Sequence, residues 1–408
     1  MTRSPTVLIS GASIAGPTAA SWLAAAGWDV TVVERADHLR EEGQNVDVRG
    51  TGREVLRRMG LEDAVARLHT SETGQAFVDA DGHAYAAFPA GTGDRDGAPT
   101  AELEILRGQL ARVLCEHSAG DAGYVFGDHV TALHDDGAGV DVEFAHGPSR
   151  RFDAVVIAEG TRSATRDLVF DDVELHELGL VFAYLTIPRT ASDDRRWRVH
   201  LAGRGRLVHL RPDAVGTTRA MLSLHTDLRG LGALDRASIV AVLRATFADV
   251  GWETPRVLAE LDDGSLHVDQ VAQVRMPSWH RGRVAVLGDA AWCAGPFGTG
   301  TTTALSGAYV LAGELGATPD DVPGAFARYE RLLRPATDRA QTFVMGPSSH
   351  PHAEWQRRLV RTGARLLAGP VRATVGRFRS VVPEPPVNLI VLPDYSGRKS
   401  ATELSNSA

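Results

Sequence analysis

The stretch that decides the fold lies near the start of the chain and reads Thr6-Val7-Leu8-Ile9-Ser10-Gly11-Ala12-Ser13-Ile14-Ala15-Gly16. Residues 6–10 form a short, mainly apolar and β-branched run, which predicts a buried strand. Residues 16–26 are rich in good helix formers, and residues 29–34 return to a β-branched run that ends in Glu34. A strand, a helix and a second strand in about 30 residues predict a βαβ unit.

The glycine loop between this strand and this helix matches the pattern Gly-x-Gly-x-x-Gly, with Ser13 in place of the second glycine. Gly11 makes the tight turn, a small residue at 13 lets the backbone approach a pyrophosphate, and Gly16 lets the helix pack closely on the sheet. The helix N-terminus, from Ile14 and Ala15 onward, offers unpaired N–H groups and a positive dipole end to the phosphates. The loop therefore predicts a dinucleotide site, and the alternative is a structural turn in an α/β domain.

Glu34 lies 18 residues after Gly16, at the end of the second strand, and Arg35 follows it. An acidic side chain at this point accepts hydrogen bonds from a ribose diol. This carboxylate favours FAD or NAD over NADP as the bound dinucleotide, and we include Arg35 among the cofactor contacts.

Composition excludes several classes of function. The chain has 408 residues, enough for two domains, and a formal net charge of −8, which argues against a general nucleic-acid binder. Cys115 and Cys293 lack the spacing of a disulfide framework or a metal site. We find no signal-peptide pattern and no run of about 20 apolar residues. These features predict a cytoplasmic protein with no metal, no nucleic-acid partner and no membrane partner.

The rest of the chain alternates short apolar runs with turn residues. We predict a helix over 53–61, a hairpin over 75–88, a helix over 107–119, three strands within 124–157 with 154–157 central, strands across 178–226, a helix near 234–250, a strand near 266–275, a strand over 284–287, a helix over 304–315 and a largely helical, arginine-rich segment over 353–379.

A second glycine-rich loop follows the apolar run 284–287 and continues through Gly288, Asp289, Pro296 and the residues 297–303. A carboxylate at 289 can accept a hydrogen bond from a ribityl hydroxyl. The glycines and threonines then open a helix whose N-terminus can face the N1–C2=O edge of a flavin, where reduced flavin carries negative charge. A simple dehydrogenase needs only the first loop, so the second loop favours FAD.

This second loop resembles the Gly-Asp-Ala-Ala…Pro…Gly…Gly motif of the para-hydroxybenzoate-hydroxylase-like flavoprotein monooxygenases. Arg107 is similar to the arginine that reaches FAD in that family, and Val130 to its adenine-side contact. Residues 158–166 resemble the family's Asp-Gly motif, and residues 45–50 the flavin-edge loop of its tetracycline-inactivating branch. Two departures stand out: Glu159 replaces the usual aspartate and Trp292 the usual histidine, and large aromatics mostly serve core packing.

The resemblance implies an α/β fold with a Rossmann-like FAD-binding domain, an interleaved β-sheet substrate domain and a C-terminal bridging helix. We predict the FAD-binding domain at 1–70, 101–177 and 277–345, the substrate domain at 71–100 and 178–276, the helix at 350–380 and a flexible tail at 396–408. The expected FAD contacts are Gly11, Ser13, Ile14, Ala15, Gly16, Glu34, Arg35, Asp47, Arg107, Val130, Asp289, Pro296, Gly298, Thr299, Gly300, Thr301 and Thr302.

The family reaction uses NADPH or NADH as a transient reductant and O2 to form a C4a-hydroperoxyflavin, which hydroxylates an aromatic or polycyclic small molecule. Because the flavin performs the chemistry, we assign no catalytic side chain. Such an enzyme is expected to be a monomer or a homodimer.

The substrate wall is expected from the β-rich layer and from the turn at Pro296 and Phe297. Phe182 and Tyr184 share one strand face, and Met221 and Ser223 share another. These faces either line a pocket or face solvent or a satisfied core. For the arginine-rich helix, a solvated charged face is the preferred interpretation over an anion site.

Three other functions remain to be weighed. A flavin-dependent halogenase needs a Trp-x-Trp-x-x-Ile-Pro motif and a lysine; the motif is absent and Lys399, the only lysine, lies in the tail. A flavin-dependent dehydrogenase, epoxidase or reductase of a secondary metabolite would act without O2 insertion. A non-catalytic flavin-binding protein would never be reduced by NAD(P)H.

Overall fold

The structure is a computed structural model, and it describes residues 3–40, 43–90, 103–228, 230–231, 234–262, 264–296, 300–342, 350–368 and 390–395. In chain order the strands are β1 (Thr6–Ser10), β2 (Asp29–Glu34), β3 (Asn45–Asp47), β4 (Gly74–Val78), β5 (Ala84–Pro89), β6 (Glu104–Leu106), β7 (Ala122–Phe126), β8 (Val130–Asp135), β9 (Val140–Phe144), β10 (Arg150–Phe152), β11 (Ala154–Ile157), β12 (Glu174–Pro188), β13 (Trp197–Gly203), β14 (Arg206–Pro212), β15 (Thr217–His225), β16 (His267–Arg275), β17 (His280–Arg281) and β18 (Val284–Val286).

The helices are α1 (Ala15–Ala25), α2 (Gly50–Arg58), α3 (Glu62–Ala66), α4 (Arg107–Ser118), α5 (Ala164–Asp167), α6 (Arg236–Phe247), α7 (Thr254–Ala259), α8 (Asp289–Trp292), α9 (Gly300–Ala317), α10 (Val322–Thr342) and α11 (Glu354–Ala368). In the described part of the chain, no helix combines the length and the hydrophobicity needed to cross a bilayer.

The nucleotide layer is a six-stranded sheet in the order β17-β18-β11-β1-β2-β7. Strand β1 pairs in parallel with β2 and with β11, and β11 pairs in parallel with β18. The predicted βαβ unit is therefore confirmed, and β11 is central, as its wholly buried residues require. The carboxyl ends of β1, β2, β11 and β18 meet at one edge, where ligands bind in open α/β sheets.

The prediction of three strands within 124–157 was wrong in number. Five strands cover this region, because Gly127, with φ of +73°, separates β7 from β8, and because β10 and β11 belong to different sheets. Strand β7 joins the edge of the six-stranded sheet, whereas β8, β9 and β10 form a separate antiparallel sheet. The break is fixed by Asp128, whose carboxylate accepts the N–H groups of His129, His146 and Gly147.

The second layer is a seven-stranded sheet in the order β16-β12-β15-β14-β13-β4-β5. One of its faces is covered by α6 and α7, which bury Ala183, Leu185 and Leu222 in a shared apolar cluster. The alternate residues of the same strands, among them Phe182 and Tyr184, lie on the other face. The predicted division of strand faces is thus confirmed.

Two helices begin three or more residues before their predicted starts. Helix α9 begins at Gly300 rather than at 304, so the glycine- and threonine-rich segment already forms its first turn. Helix α2 begins at Gly50 rather than at 53. The predicted helix over 353–379 is present as α11 up to Ala368; residues 369–379 and the predicted tail 396–408 lie outside the described residues.

Candidate active site

The glycine turn after β1 is fixed by close backbone approaches. Gly11 takes φ of +113°, and its N–H donates to the Val33 carbonyl at 2.8 Å. A Cβ at residue 11 would lie 2.5 Å from the Ala158 oxygen, and a Cβ at Gly16 would lie 1.9 Å from the Gly11 oxygen. Only glycine, which has no Cβ, allows these close approaches, so both positions require glycine, as the sequence pattern predicts.

The N-terminus of α1 has no side-chain cap. Its N-cap residue is Ile14, which forms no capping hydrogen bond, and Ala15 and Gly16 form the start of the helix. Ser13 is half-buried in the turn just before it. An uncapped N-terminus leaves backbone N–H groups and the positive end of the helix dipole available to an anion.

Glu34 is held in place at the end of β2 by two backbone groups. Its carboxylate accepts the N–H of Ala12 at 2.9 Å and the N–H of Ala36 at 3.0 Å. Because Ala12 belongs to the glycine turn, Glu34 and the turn are one rigid unit. A carboxylate oxygen has two lone pairs, so Glu34 can still accept from a ribose diol. Arg35 is exposed beside it.

Glu159 is the residue that departs from the family's aspartate, and its carboxylate is saturated by the protein. It accepts from the Ser10 hydroxyl, from the Ser163 hydroxyl at 2.7 Å, and from both the N–H and the hydroxyl of Thr165 at 3.2 and 2.5 Å. These bonds tie the end of β1 to the start of α5. The longer glutamate thus serves the scaffold of the nucleotide layer.

Asp289 opens α8 directly after Gly288, which takes φ of +69°. Its side chain is exposed, yet protein surrounds it and desolvation raises the pKa of its carboxyl group, while Arg107 lowers that pKa. A side chain that is exposed to solvent and is also surrounded by protein must line a deep cleft. We therefore place Asp289 on the wall of an internal cleft at the carboxyl edge of the sheet.

Arg107, at the start of α4, lies close enough to Asp289 for the two charges to interact. Desolvation lowers the pKa of its guanidinium group, and Asp289, Tyr184 and Asp269 oppose that shift. Arg107 nevertheless forms no side-chain hydrogen bond or ion pair with any residue that the structure describes. A guanidinium group with no such partner can bind an anionic or hydrogen-bond-accepting ligand.

A buried arginine fixes the loop that carries Asp289. The Arg166 guanidinium donates to the Thr161 carbonyl at 2.9 Å and to the Ala290 carbonyl at 3.2 Å. Its side chain is 1% exposed. Arg166 therefore connects the segment after β11 to α8 and holds the second glycine-rich loop against the sheet.

The segment after β3 packs on the first turn of α9. The Thr302 hydroxyl donates to the Arg49 carbonyl and accepts the Arg49 N–H, both at 3.1 Å. A Cβ at Gly52 would lie 2.9 Å from the Thr302 Cα. Asp47 binds Arg49 through one carboxylate oxygen, and its other oxygen, Oδ1, is buried without a protein partner. That orphaned acceptor needs a donor such as a ring N–H of a bound cofactor.

Four other predicted cofactor contacts lie at distinct places. Gly300 and Thr301 are half-buried in the first turn of α9, Pro296 is exposed, and Val130 is buried in the core at the start of β8. Phe297, Gly298 and Thr299 lie outside the described residues.

The predicted substrate residues share one face of the seven-stranded sheet. The Phe182 and Tyr184 rings meet edge to face with centroids 6.0 Å apart, and Tyr184 lies opposite Met221 on β15. Ser223 is fully buried, and its hydroxyl bonds to Nε2 of His350 at 2.5 Å. Phe182, Tyr184 and Met221 therefore form an aromatic and thioether wall, with Ser223 engaged behind it.

Two residues of β16 were missed by the sequence reasoning. His267 stacks on Tyr184 with ring centroids 6.3 Å apart, and Asp269 lies opposite Phe182. Asp269 raises the pKa of both Tyr184 and Asp289. The alternation His267, Asp269, Val271 was visible in the sequence, but its face depends on a register that the sequence alone does not fix.

A buried acidic cluster lies beside the flavin-edge segment and was also missed. Arg211 on β14 donates to Glu72 at 2.9 Å and to Glu104 at 2.5 Å, and Asp47 lies close enough to act on Glu72. Desolvation raises the pKa of Glu72 to about 8, Arg211 lowers it, and Glu104 raises it further. Burial therefore favours the protonated form of the Glu72 carboxyl group, and Arg211 favours the ionised form.

Replacement of this carboxyl group by an amide tests that protonation. A carboxyl whose pKa is higher in the folded state than its unfolded value of 4.5 stabilises the fold below that value and loses the effect as pH rises towards about 8. Glu72→Gln keeps an oxygen for Arg211 and removes the titration. We expect the variant and the parent to have similar unfolding free energies at about pH 5, and the variant to be more stable near pH 8.5 by on the order of 2 kcal/mol. Thermal unfolding of both proteins at the two pH values measures this difference.

The exposed Glu116→Gln variant on α4 is the control, since its pH profile should follow the parent. A Glu72→Gln variant that is less stable than the parent at both pH values would mean that Glu72 is ionised and paired with Arg211.

Trp292 is a core residue, in agreement with the interpretation that it serves core packing. It is buried, its ring lies 4.6 Å from that of Trp279, and a Cβ at Gly307 would lie 2.8 Å from its six-membered ring. It fills the space between α8, α9 and α10. Acid–base work at this position is thus not supported.

These residues fit an FAD molecule. The uncapped helix and Glu34 suit the ADP half, which carries phosphates and a ribose diol. The orphaned Asp47 oxygen, Arg107 and Asp289 would suit the flavin half, which offers N–H donors, hydroxyl groups and negative charge when reduced. FAD supplies redox and oxygen chemistry that no side chain provides.

Comparisons with known proteins agree with this geometry. A family model described as an FAD binding domain matches residues 4–331. The chain is 34% identical to the flavin-dependent monooxygenase eupH of Phoma sp, over 96% of this chain and 98% of that protein.

Solved structures agree as well. The tetracycline destructase Tet(51) aligns with a TM-score of 0.80 at 30% identity, covering 97% of this chain and all of that one (100%). HpxO of Klebsiella pneumoniae, solved with FAD and uric acid, aligns at 0.72 over 91% of this chain and 95% of its own, and at 23% identity it shows the fold alone. The chain therefore belongs to the aromatic-hydroxylase-like family of FAD-binding proteins, and it is an FAD-dependent monooxygenase.

Proposed function

We propose that this flavoenzyme is an NAD(P)H- and O2-dependent hydroxylase of an aromatic or polycyclic small molecule. The observation that carries the proposal is that the aromatic wall and the second glycine-rich loop interact with the same charged residues. Tyr184 on the aromatic wall and Asp289 on the second glycine-rich loop are both influenced by the same two charges, Arg107 and Asp269. These shared charges support a common cleft for the wall and the loop, with an aromatic surface next to the expected flavin position.

The aromatic wall supports the substrate class. Phe182, Tyr184 and Met221 offer two ring faces and a polarizable thioether, which suit a flat apolar ring system. Asp269 and His267 lie at its edge, so polar substituents on the ring would meet hydrogen-bonding groups there. The likeness to Tet(51), a tetracycline destructase, supports a polycyclic, antibiotic-like substrate in particular.

The chain's own residues have distinct roles in this proposal. Gly11 to Gly16, Glu34 and Arg35 hold the ADP half, and Val130 lies on the adenine side. Asp47, Arg107, Asp289 and the segment 296–302 orient the flavin half, with Arg107 neutralising negative charge. The wall, together with Pro296 and Phe297, excludes water and holds the substrate carbon towards the flavin. No side chain transfers oxygen, since the reduced flavin and O2 supply that chemistry.

The proposal keeps the division into an FAD-binding domain (1–70, 101–177 and 277–345) and a substrate domain (71–100 and 178–276). The long strand β12 passes from one to the other, with a register shift at Gly179, where φ is +69°. We expect the reductant to bind only transiently, as the resemblance to this family implies. We expect a monomer or a homodimer.

A coupled assay tests this function. The FAD-loaded protein is mixed with NADPH or NADH and a panel of phenolic and polycyclic compounds, while cofactor oxidation and O2 uptake are followed together. We expect at least one compound to stimulate both rates equally and to gain one oxygen atom by mass analysis. Oxidation of a compound without O2 uptake would instead indicate a dehydrogenase, and no reduction of FAD by either nicotinamide would indicate a non-catalytic flavin protein.

A further inference from the structure

Helix α11 presents its apolar side chains to solvent. Trp355 is 67% exposed, Leu359 is 66% exposed and Leu366 is 56% exposed. With Thr362 they follow the spacing i, i+4, i+7 and i+11, so they form one continuous stripe along the helix. We call Trp355, Leu359 and Leu366 the outer face of α11. A surface helix of a globular protein normally turns such a stripe inward.

The opposite side of α11 holds the helix on the protein. Val360 packs on the apolar cluster of β13 and β14, and the guanidinium group of Arg361 lies 4.7 Å from the Tyr85 ring centroid on β5. Arg365 lies at the boundary between the two sides: its guanidinium group is 5.6 Å from the same centroid, and its side chain is still exposed. The helix therefore exposes an apolar stripe in addition to the exposed arginines Arg358 and Arg365, and this stripe points away from the body of the molecule.

The charge of α11 differs from that of the whole chain. The helix carries four arginines, at 357, 358, 361 and 365, against the single acid Glu354, whereas the chain has a net charge of −8. Arg358 and Arg365 are exposed and flank the outer face on one side. Exposed tryptophan and leucine flanked by arginine is the composition of helices that lie in the headgroup region of a bilayer.

We propose that the outer face of α11 docks the enzyme on an anionic phospholipid surface. The apolar stripe enters the headgroup boundary, Arg358 and Arg365 contact lipid phosphates, and the sheet side of the helix keeps the body of the enzyme in water. This departs from the expectation that the protein has no membrane partner, but it requires no spanning helix.

A second copy of the chain is the alternative partner for the outer face of α11, and electrostatic repulsion disfavours that dimer. Apposed outer faces would bring the exposed Arg358 and Arg365 of both copies together, and the only acid of each helix is Glu354. Like charges repel across such an interface. An anionic lipid surface supplies the opposite charge.

Vesicle co-sedimentation of the full-length FAD-loaded protein tests the proposal. The probes are vesicles of phosphatidylglycerol with phosphatidylcholine, and vesicles of phosphatidylcholine alone. We expect binding to the anionic vesicles, weaker binding at high salt, and about tenfold weaker binding for the triple variant Trp355→Ser, Leu359→Ser, Leu366→Ser. Leu332→Ser, an exposed leucine of α10, is the matched control and should bind like the parent.

Arg358→Gln combined with Arg365→Gln should lower binding to anionic vesicles and leave FAD content unchanged. Equal sedimentation of the parent and the triple variant, or no sedimentation of the parent, overturns the proposal. A dimer of the parent that the triple variant converts to a monomer, without vesicle binding, also overturns it and assigns the face to self-association.

Discussion

Asp289→Ala is expected to give a soluble protein that has lost most of its FAD, with a dissociation constant raised about ten- to hundredfold. A hydrogen bond to a charged group contributes about 1.5–3 kcal/mol, and each 1.4 kcal/mol or so changes affinity tenfold. The Asp289 carboxylate lines the cleft, and Arg166 holds its loop through the Ala290 carbonyl. The loss should therefore fall on FAD binding and spare the scaffold.

The measurement is FAD content after purification, followed by titration of the apoprotein with FAD by fluorescence quenching. Asp171→Ala is the control, because that carboxylate is exposed and only weakly paired with Arg281, at 3.4 Å. Stoichiometric FAD in Asp289→Ala would mean that the second glycine-rich loop does not hold the flavin.

Gly16→Ala is expected to remove FAD and to lower stability together. The added Cβ would lie 1.9 Å from the Gly11 oxygen and 3.3 Å from the Ile9 side chain, so α1 must move away from β1. Overpacking of this kind costs about 1–3 kcal/mol or more, and here it also displaces the uncapped helix N-terminus from the glycine turn. We expect a lower thermal midpoint and an FAD affinity reduced by at least about a hundredfold, equivalent to roughly 3 kcal/mol.

Gly120→Ala is the matched control, since nothing lies within 4 Å of its added Cβ. Thermal unfolding and FAD titration of both variants check the prediction. Normal FAD affinity in Gly16→Ala would show that α1 can shift without loss of the dinucleotide site, and the assignment of the first loop would then fail.

The glycine turn could be predicted because its determinants are local. The strands β1 and β2 and the helix between them follow from short-range hydrophobic pattern, and Gly11 and Gly16 follow from the steric demands of one turn. Asp289 was found for the same reason, as it directly follows a buried strand. The position of a residue in a motif is thus sufficient to predict its surroundings where its neighbours in sequence are also its neighbours in space.

The contacts of Glu159 and Asp269 could not be predicted in this way, because they depend on residues that are distant in sequence. The bond between Glu159 and Ser10 joins residues 149 positions apart, and it depends on the parallel pairing of β1 with β11. Asp269 reaches the cleft only because β16 pairs with β12 in one particular register. A shift of one residue would turn it to the opposite face, and no sequence pattern fixes that choice.

The arginines of α11 show a different limit. Arginine-rich amphipathic helices usually expose their charged side, and Arg358 and Arg365 are exposed as that expectation requires. The exposed apolar stripe was not predicted, because Tyr85 on β5 offers a ring face to Arg361 and Arg365 and so holds arginines against the body of the protein. Tyr85 lies more than 270 residues earlier in the chain, so the helix sequence by itself does not contain this information.

The central claim is that bound FAD in this cleft inserts oxygen from O2 into an aromatic substrate. The most direct test is turnover of a stimulating compound under isotopically heavy O2 in ordinary water, with mass analysis of the product. The account predicts one heavy oxygen atom in the product for each NAD(P)H consumed. A product whose added oxygen comes from water, or one oxidised without gain of oxygen, would contradict it.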